Sequence, residues 1–368
     1  MPHVHLTTPT GPIEMHYNIS TPTAHSSPTI VPHLPCIIFL HAGYIAQEVF
    51  EPQFADPQLR RRFNLIGLDM RAFGSTKGLT GKDSYGPADS ADDVYRFIRT
   101  LNLPPLHIFG LSIGTCIALE VATAHPEHVL SLTLCSPLPS KEPEDIIAGR
   151  MEVYRYWSCA FNHNANRTPQ SLSEGDQALI DDIMHGAQQL CFNNQLTSLI
   201  RGMTKNAITQ AMKNRAGSPT KLRESYMVSI AWFTNRRPFS RASLSKISCP
   251  VRLIHCSDDI AYPLRHAREL KSQLRQAGVG DVVLCQVPGP HYGSVLNPQM
   301  CVIYPPLINP ILRDVVLSVS PRQPPNLRNA PSQANGFHDC QRMTTPFTHK
   351  LAKYGYDPHD DESDSELE

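Results

Sequence analysis

The chain's clearest chemistry-bearing pattern is Gly110-Leu111-Ser112-Ile113-Gly114, a serine between two glycines. A serine hydroxyl is a weak nucleophile, so it needs an adjacent base and an exposed place on the backbone. A sharp strand-to-helix turn supplies that exposure, and the glycines allow close chain approach there. An apolar run at 106–109 directly precedes the pattern, and a helix-forming stretch at 112–124 follows it. The pattern therefore predicts Ser112 as a nucleophile rather than as a surface serine in a glycine-rich turn.

This strand–turn–helix motif resembles that of the α/β-hydrolase family. That family places an acid after the strand that follows the lid, and a histidine after the last strand. The resemblance assigns the acid to Asp259, at the family's usual spacing before a proline, with Asp258 as the alternative. It assigns the general base to His291, whose loop resembles the family's Gly-x-His loop. It implies that His291 takes the proton of Ser112 while Asp259 fixes the tautomer of the imidazole.

Attack on a carbonyl creates an oxyanion, which backbone N–H groups must stabilise. The first donor is expected from Ile113, directly after the nucleophile. By resemblance, the second comes from the loop His41-Ala42-Gly43-Tyr44, in which alanine replaces the family's frequent glycine after the histidine. Gly43 is the expected donor, and Ala42 and Tyr44 remain alternatives.

A further loop, Asp69-x-Arg71-x-x-Gly74-x-Thr76, resembles the family's Asp-x-Arg-x-x-Gly-x-Ser. We interpret it as scaffold rather than as chemistry. A salt bridge between Asp69 and Arg71 that holds the loop is the expected use of these two charges.

Strands and helices alternate around these loops, which indicates a parallel sheet covered by helices on both faces. After an N-terminal hairpin at 4–7 and 14–18, strands are predicted at 36–40, 63–68, 106–109, 129–135, 251–255 and 282–287. Besides 112–124, helices are predicted at 90–101, from 262 and at 310–319. Ser90 and Asp93 fit a capping box at the start of the first of these helices.

Residues 138–246 interrupt this alternation with helix-like stretches at 144–161, 176–192, 196–213 and 221–233. The predicted organisation is a doubly wound, mostly parallel α/β-hydrolase fold in four segments. Residues 1–137 and 247–319 form the two parts of the core, and 138–246 form a helical lid insertion. Residues 320–368, rich in proline at first and acidic at the end, form a disordered tail.

Composition excludes several classes of protein. The formal net charge of +0 gives no sign of a nucleic-acid partner, and no run reaches the roughly 18 apolar residues of a membrane span. The N-terminus lacks the apolar core of a secretory signal, so the 10 cysteines are expected to be unpaired thiols in a cytoplasmic protein. The 17 histidines do not cluster at ligand spacing, so we expect no metal and no cofactor.

The resemblance implies a serine hydrolase that cleaves a carboxylic ester or lactone through an acyl-enzyme. The insertion carries aromatic side chains such as Tyr154, Trp157 and Trp232, which favour a small apolar or aryl substrate. Carbon–carbon bond hydrolysis, thioester hydrolysis and acyl transfer on the same three residues remain alternatives, because specificity depends on the pocket. A receptor or scaffold without turnover is the alternative from another class. The sequence leaves open whether the chain has a protein partner.

Overall fold

An eight-stranded, mostly parallel sheet forms the centre of the computed structural model, which describes residues 2–81, 85–161, 173–296, 308–320 and 341–358. The strand order is β1-β2-β4-β3-β5-β6-β7-β8. Strands β1 and β2 pair antiparallel with each other, and β2 pairs antiparallel with β4, whereas the neighbours from β4 to β8 are parallel. The strands are β1 His3–Thr8, β2 Gly11–Ser20, β3 Cys36–Leu40, β4 Asn64–Leu68, β5 Leu106–Leu111, β6 Val129–Cys135, β7 Val251–Cys256 and β8 Val282–Val287.

Helices cover both faces of this sheet. The helices are α1 Glu51–Ala55, α2 Pro57–Arg60, α3 Pro87–Thr100, α4 Ile113–Ala124, α5 Glu144–Phe161, α6 Glu174–Phe192, α7 Ser198–Arg215, α8 Pro219–Tyr226, α9 Trp232–Thr234, α10 Arg241–Leu244, α11 Leu264–Gln276, α12 Gly293–Leu296, α13 Ile308–Val319 and α14 Thr348–Ala352. Short 3-10 turns occupy Gln47–Phe50 and Pro126–His128, and a π-helical turn, Met227–Ala231, joins α8 to α9.

Every residue of β3, β4 and β5 is buried, as expected for central parallel strands. Successive side chains point to opposite faces, so Ile38 belongs to the apolar cluster that includes residues of α3, α4 and α11, whereas Phe39 belongs to the cluster that includes residues of α1, α2 and α13. The predicted doubly wound α/β fold is confirmed. Strands β3, β6 and β8 have their predicted bounds.

Helix α3 begins three residues earlier than predicted. Pro87 occupies its first turn, and the carboxylate of Asp89 accepts a hydrogen bond from Gly86 N at 3.0 Å. The proposed capping box of Ser90 and Asp93 is therefore wrong. Proline at the first helical position is already held near the helical φ angle, which moves the start of the helix upstream. Asp93 lies inside the helix and binds an arginine.

The predicted salt bridge between Asp69 and Arg71 is also wrong. Arg71 donates two hydrogen bonds to Asp93, at 2.9 and 2.7 Å, and both side chains are buried. Asp69 instead accepts from His16 Nδ1 at 2.7 Å and from Ser75 N at 2.8 Å. Both residues are scaffold, but each has a partner that is remote in the sequence.

The segment between β6 and β7 is called the helical insertion here and contains α5 to α10. No strand occurs among its described residues, 138–161 and 173–246.

The expectation of disorder from residue 320 onward is wrong for residues 341–358. Phe347, Leu351 and Tyr356 of this C-terminal segment are buried against α1 and α7. Glu51 accepts hydrogen bonds from Thr348 and Tyr356. The rest of the predicted tail, 321–340 and 359–368, lies outside the described residues.

The described cysteines are all unpaired, and most of them are buried. Burial raises the pKa of thiols such as Cys36 to about 11, which suppresses their reactivity. In the described part of the chain, no helix combines the length and apolarity that a membrane crossing requires.

Candidate active site

Ser112 lies at the carboxyl edge of the sheet, between the end of β5 and the start of α4. Its φ angle is +54°, in a region that non-glycine residues rarely adopt. A Cβ atom at Gly114 would lie 2.8 Å from the carbonyl carbon of Leu40, and one at Gly110 would lie 2.6 Å from the carbonyl carbon of Gly114. The two glycines are thus required by close packing around a strained serine.

Ser112 begins a continuous line of side-chain hydrogen bonds. Its hydroxyl lies 2.9 Å from His291 Nε2, and His291 Nδ1 lies 2.6 Å from Asp259 Oδ2. Because a carboxylate only accepts, Nδ1 carries the proton and Nε2 accepts from the serine hydroxyl. The exposed fractions are 2% for Ser112, 2% for His291 and 7% for Asp259. The structure therefore brings together three residues that β5, β7 and β8 carry into the same edge of the sheet.

Asp259 is held by backbone as well as by histidine. Its Oδ1 accepts from the N–H groups of Ala261 and Tyr262, at 3.0 and 2.8 Å. Burial alone would raise its pKa, but the charge of His291 and these hydrogen bonds outweigh burial and hold the pKa below the ordinary value. Asp259 is therefore ionised at neutral pH. The alternative Asp258 is exposed, and its carboxylate accepts from Gly289 N at 3.1 Å.

The histidine loop is supported by residues that the sequence analysis missed. Ser136, at the end of β6, donates a hydrogen bond to the carbonyl of His291 at 2.6 Å. The ring of Tyr262 packs beside the imidazole, with the ring centroids 4.9 Å apart. Tyr292 O–H donates to the carbonyl of Gly43 at 2.7 Å, which ties the histidine loop to the loop after β3.

Of the expected oxyanion donors, Gly43 lies in the loop after β3, and Ile113 directly follows Ser112. Ile113 is the first residue of α4, where backbone N–H groups have no partner within the helix. The carbonyl of Gly43 accepts from Ile45 N at 2.8 Å, and the following Tyr44 adopts a φ angle of +65°. These contacts fix the direction of the Gly43 carbonyl.

His41 holds the same loop through hydrogen bonds of both of its ring nitrogens. Its Nε2 accepts from Met70 N at 2.9 Å, so Nδ1 donates to the carbonyl of Ala42 at 2.6 Å. Complete burial lowers the pKa of His41, so the ring is neutral, as this pair of contacts requires. The sequence analysis included His41 only as part of a motif, and its spacing from Met70 carries no local signal of the contact.

A buried polar cluster, called the Glu142 cluster here, joins the helical insertion to the Asp259 loop. Glu142 accepts from Arg150 Nε at 3.0 Å, from Tyr262 O–H at 2.7 Å and from Arg236. Arg150 also donates to the hydroxyl of Tyr44 at 3.3 Å and lies 3.5 Å from the centroid of the Phe233 ring. The cluster links the acid loop with the loop of Gly43.

A cavity, called the insertion cavity here, lies between α5, α6 and α7. Its lining is mainly apolar and includes Val153, Trp157, Ile183, Met184, Phe192 and Ile208. Tyr44 forms part of its wall, and Tyr44 is next in the chain to Gly43. Ser112 is not among the residues that line this cavity. Of the predicted aromatics, Tyr154 and Trp157 line this cavity, whereas Trp232 donates its N–H to Ser90 at 3.0 Å.

Comparisons with known proteins agree with this architecture. A family model described as alpha/beta hydrolase fold matches residues 35–282. An AB hydrolase superfamily protein, YisY, of Bacillus subtilis (strain 168) is 24% identical over 253 residues, which are 66% of this chain and 80% of that protein. A 2-(acetamidomethylene)succinate hydrolase of Mesorhizobium japonicum is 33% identical over 115 residues, 31% of this chain and 40% of that protein.

Solved structures with the same fold include enzymes. A thermophilic esterase from Thermogutta terrifontis superposes with a TM-score of 0.59 and 17% identity, covering 87% of this chain and 100% of that one. An enol-lactonase from Burkholderia xenovorans LB400 gives a TM-score of 0.53 and 17% identity, covering 80% and 94%. At this level of identity the likeness establishes the fold alone.

Proposed function

The chain belongs to the α/β-hydrolase fold family, and from this we propose that it is a serine hydrolase that cleaves a carboxylic ester or lactone of a small apolar or aryl substrate. The observation that carries the proposal is the hydrogen-bonded line from Ser112 through His291 to Asp259. The mainly apolar insertion cavity supports an apolar or aryl substrate.

In the proposed reaction, Ser112 Oγ attacks the carbonyl carbon while its proton passes to His291 Nε2. The tetrahedral intermediate collapses as the carbon–oxygen bond to the leaving alkoxide breaks, and the imidazolium returns the proton to that oxygen. Water, deprotonated by His291, then attacks the acyl-enzyme and releases the acid and free Ser112. Asp259 holds the Nδ1–H tautomer and stabilises the imidazolium in both steps.

The N–H groups of Ile113 and Gly43 are the proposed oxyanion donors. A backbone N–H at the start of a helix also benefits from the positive end of the helix dipole. One donor of this kind contributes about 3 kcal/mol of transition-state stabilisation. We further propose that residues 138–246 act as a lid that encloses the substrate.

A fluorophosphonate probe tests the proposal directly, because it reacts with a serine that has a working general base. The native chain should be labelled, and Ser112→Ala and His291→Ala should both remove the labelling. Ser229→Ala, a change to a serine that lines the insertion cavity, is the matched control and should retain it. Turnover is then measured on a panel of small aryl esters and lactones.

Two outcomes would contradict the proposal. The first is a folded native chain that the probe does not label. The second is labelling that survives in Ser112→Ala. Labelling without turnover on the panel would retain the activated serine but refute the proposed ester and lactone substrates.

A further inference from the structure

Arg215, the last residue of α7, presents a buried charge to the insertion cavity. Its exposed fraction is 7%, and it is part of the lining of the cavity. Its side chain forms no hydrogen bond and no ion pair with any residue in the described part of the chain, and its Nε is buried without a partner. The described residues thus leave this guanidinium unsatisfied.

Arg215 is held in place by contacts that do not use the N–H donors of its guanidinium. Trp157 Nε1 donates to the carbonyl of Arg215 at 2.9 Å, and the neighbouring Asn214 donates to the carbonyl of Gly74 at 2.8 Å. The guanidinium lies over the Phe73 ring, 4.9 Å from its centroid. The side chain is therefore held in place while its N–H donors remain free to meet a ligand.

Other buried arginines of the chain differ from Arg215. Arg71 is paired with Asp93, and Arg150 and Arg236 share Glu142. Arg60 donates to the carbonyls of Thr21 and Thr344. Burial lowers the pKa of Arg215 to about 10, so it still carries its charge at neutral pH. A buried charge without a partner is costly to a folded protein. A bound anion would remove this cost by pairing with the guanidinium of Arg215.

The surroundings of Arg215 indicate the rest of the ligand. The cavity is mainly apolar, which suits an aliphatic or aryl body. One guanidinium matches the single charge of a carboxylate and can bind both of its oxygens. A phosphate dianion would leave one charge uncompensated in this apolar space. Tyr44 lines the cavity and is next to Gly43 in the chain, so an extended substrate that fills the cavity reaches the loop of Gly43.

We propose that Arg215 binds a carboxylate on the substrate, so that the enzyme acts on esters or lactones that carry a carboxylate at the end of an apolar or aryl body. This inference rests on the proposed hydrolase function for the reacting end of the substrate. The carboxylate site itself is independent of catalysis and can be measured without it.

Binding to the Ser112→Ala protein tests the site without turnover. A panel of arylalkyl carboxylates, beginning with 4-phenylbutyrate, is compared with the matching neutral amides and with phenyl phosphate. Titration is followed by calorimetry and by the fluorescence of Trp157, which lines the cavity. Carboxylates should bind about tenfold or more tightly than their amides. Equal binding of acids and amides, or a preference for phenyl phosphate, would overturn the proposal.

Substitutions of Arg215 in the same background locate the effect. Arg215→Gln should bring acids and amides to equal affinity, and Arg215→Lys should keep part of the preference. The matched control is Arg201→Gln, because Arg201 lies on the same helix with an exposed side chain. Arg201→Gln should change nothing. If Arg215→Gln fails to fold, Arg215→Met, which keeps an apolar stem, takes its place. A preference that survives the substitution would refute the site.

Kinetic measurements on the protein with Ser112 intact distinguish a role of Arg215 in substrate recognition from a structural role. The substrates are the 4-nitrophenyl half-ester of adipic acid and its neutral methyl ester. Arg215→Gln should lower kcat/KM about tenfold or more on the half-ester and leave the methyl ester nearly unchanged. An equal loss on both esters, or a lower Tm of the empty variant, would mark Arg215 as structural. Absence of turnover with an intact carboxylate preference would refute the hydrolase proposal and leave the carboxylate site standing.

Discussion

The carboxyl edge of the sheet and the insertion cavity differ in whether their buried polar side chains have hydrogen-bond partners. At the sheet edge, the Ser112 hydroxyl, both nitrogens of His291 and both oxygens of Asp259 have partners. In the insertion cavity, Arg215 has no side-chain hydrogen-bond partner among the described residues. The first arrangement is complete without substrate, whereas the second is completed by a ligand. The comparison therefore separates proposed machinery for bond cleavage from a proposed site of recognition.

The two regions also differ in how their backbone is held. The sheet edge depends on close approach of backbone at Gly110 and Gly114 and on positive φ angles at Ser112 and Ser136. The insertion is built from α-helices and one π-helical turn, its non-glycine positive φ angles, at Asn193 and Asn194, lie between α6 and α7, and the C-terminal segment packs against α7. A small substitution should therefore cost more stability and activity at the sheet edge than in the insertion.

The largest expected effect tests whether Asp259 or Asp258 serves His291. Asp259→Asn should lower the labelling rate and kcat by a factor on the order of 10⁴, because the amide favours the wrong imidazole tautomer. Asp258→Asn is the matched control and should reduce activity less than about tenfold, because the contacts of Asp258 are with Ser257 Oγ and Gly289 N and not with His291. Equal losses in the two variants would show that the sheet edge is not organised as described.

The second effect concerns the C-terminal segment. Phe347→Ala should lower the free energy of unfolding by about 4 kcal/mol, because a fully buried ring that contacts Phe54 is removed. The labelling rate per folded molecule should be unchanged, because the segment supports α1 and α7 rather than the sheet edge. Leu317→Ala, at a side chain 44% exposed, should cost less than about 1 kcal/mol. Denaturant titration measures both, and a neutral Phe347→Ala would show that the segment does not dock.

A third effect probes backbone crowding. Gly114→Ala should destabilise the protein by about 3 kcal/mol and reduce labelling, because its Cβ would strike the backbone of Leu40. Gly149→Ala lies in α5 with no atom within 4 Å of the added Cβ, and should stabilise the protein by about 0.5 to 1 kcal/mol. Thermal unfolding of the two variants gives the comparison. A tolerated Gly114→Ala would mean that the turn at Ser112 is less crowded than the structure indicates.

The smallest expected effect concerns the Glu142 cluster, which joins the helical insertion to the Asp259 loop. Tyr262→Phe removes the hydroxyl that Glu142 and Arg150 share and keeps the ring beside His291. We expect a loss of about 1 to 2 kcal/mol in stability and only a few-fold loss in activity. Tyr226→Phe, at a half-exposed tyrosine of the insertion, should be neutral in both. A larger loss of activity than of stability would show that the Glu142 cluster positions the acid loop.

Local sequence pattern predicted the alternation of strands and helices and pointed to Ser112, whereas family resemblance was needed to choose Asp259 and His291. Apolar runs predicted strands β3, β6 and β8 with their observed bounds, because the pattern of burial along a strand is a property of neighbouring residues. The glycines around Ser112, and the family resemblance of the loops after β7 and β8, identified Ser112, Asp259 and His291 as the proposed catalytic residues. In a parallel sheet, those loops must meet at one edge.

Pairings between residues far apart in the chain could be decided only by the tertiary structure. Arg71 binds Asp93 rather than Asp69, the segment 341–358 docks on α1 and α7, and Glu142 gathers two arginines and Tyr262. Arg215 is distinctive only because the fold buries it and no described residue pairs with it. A hydrogen bond or an unpaired charge depends on which groups meet in space. Sequence spacing does not contain that information where the partners lie in different elements.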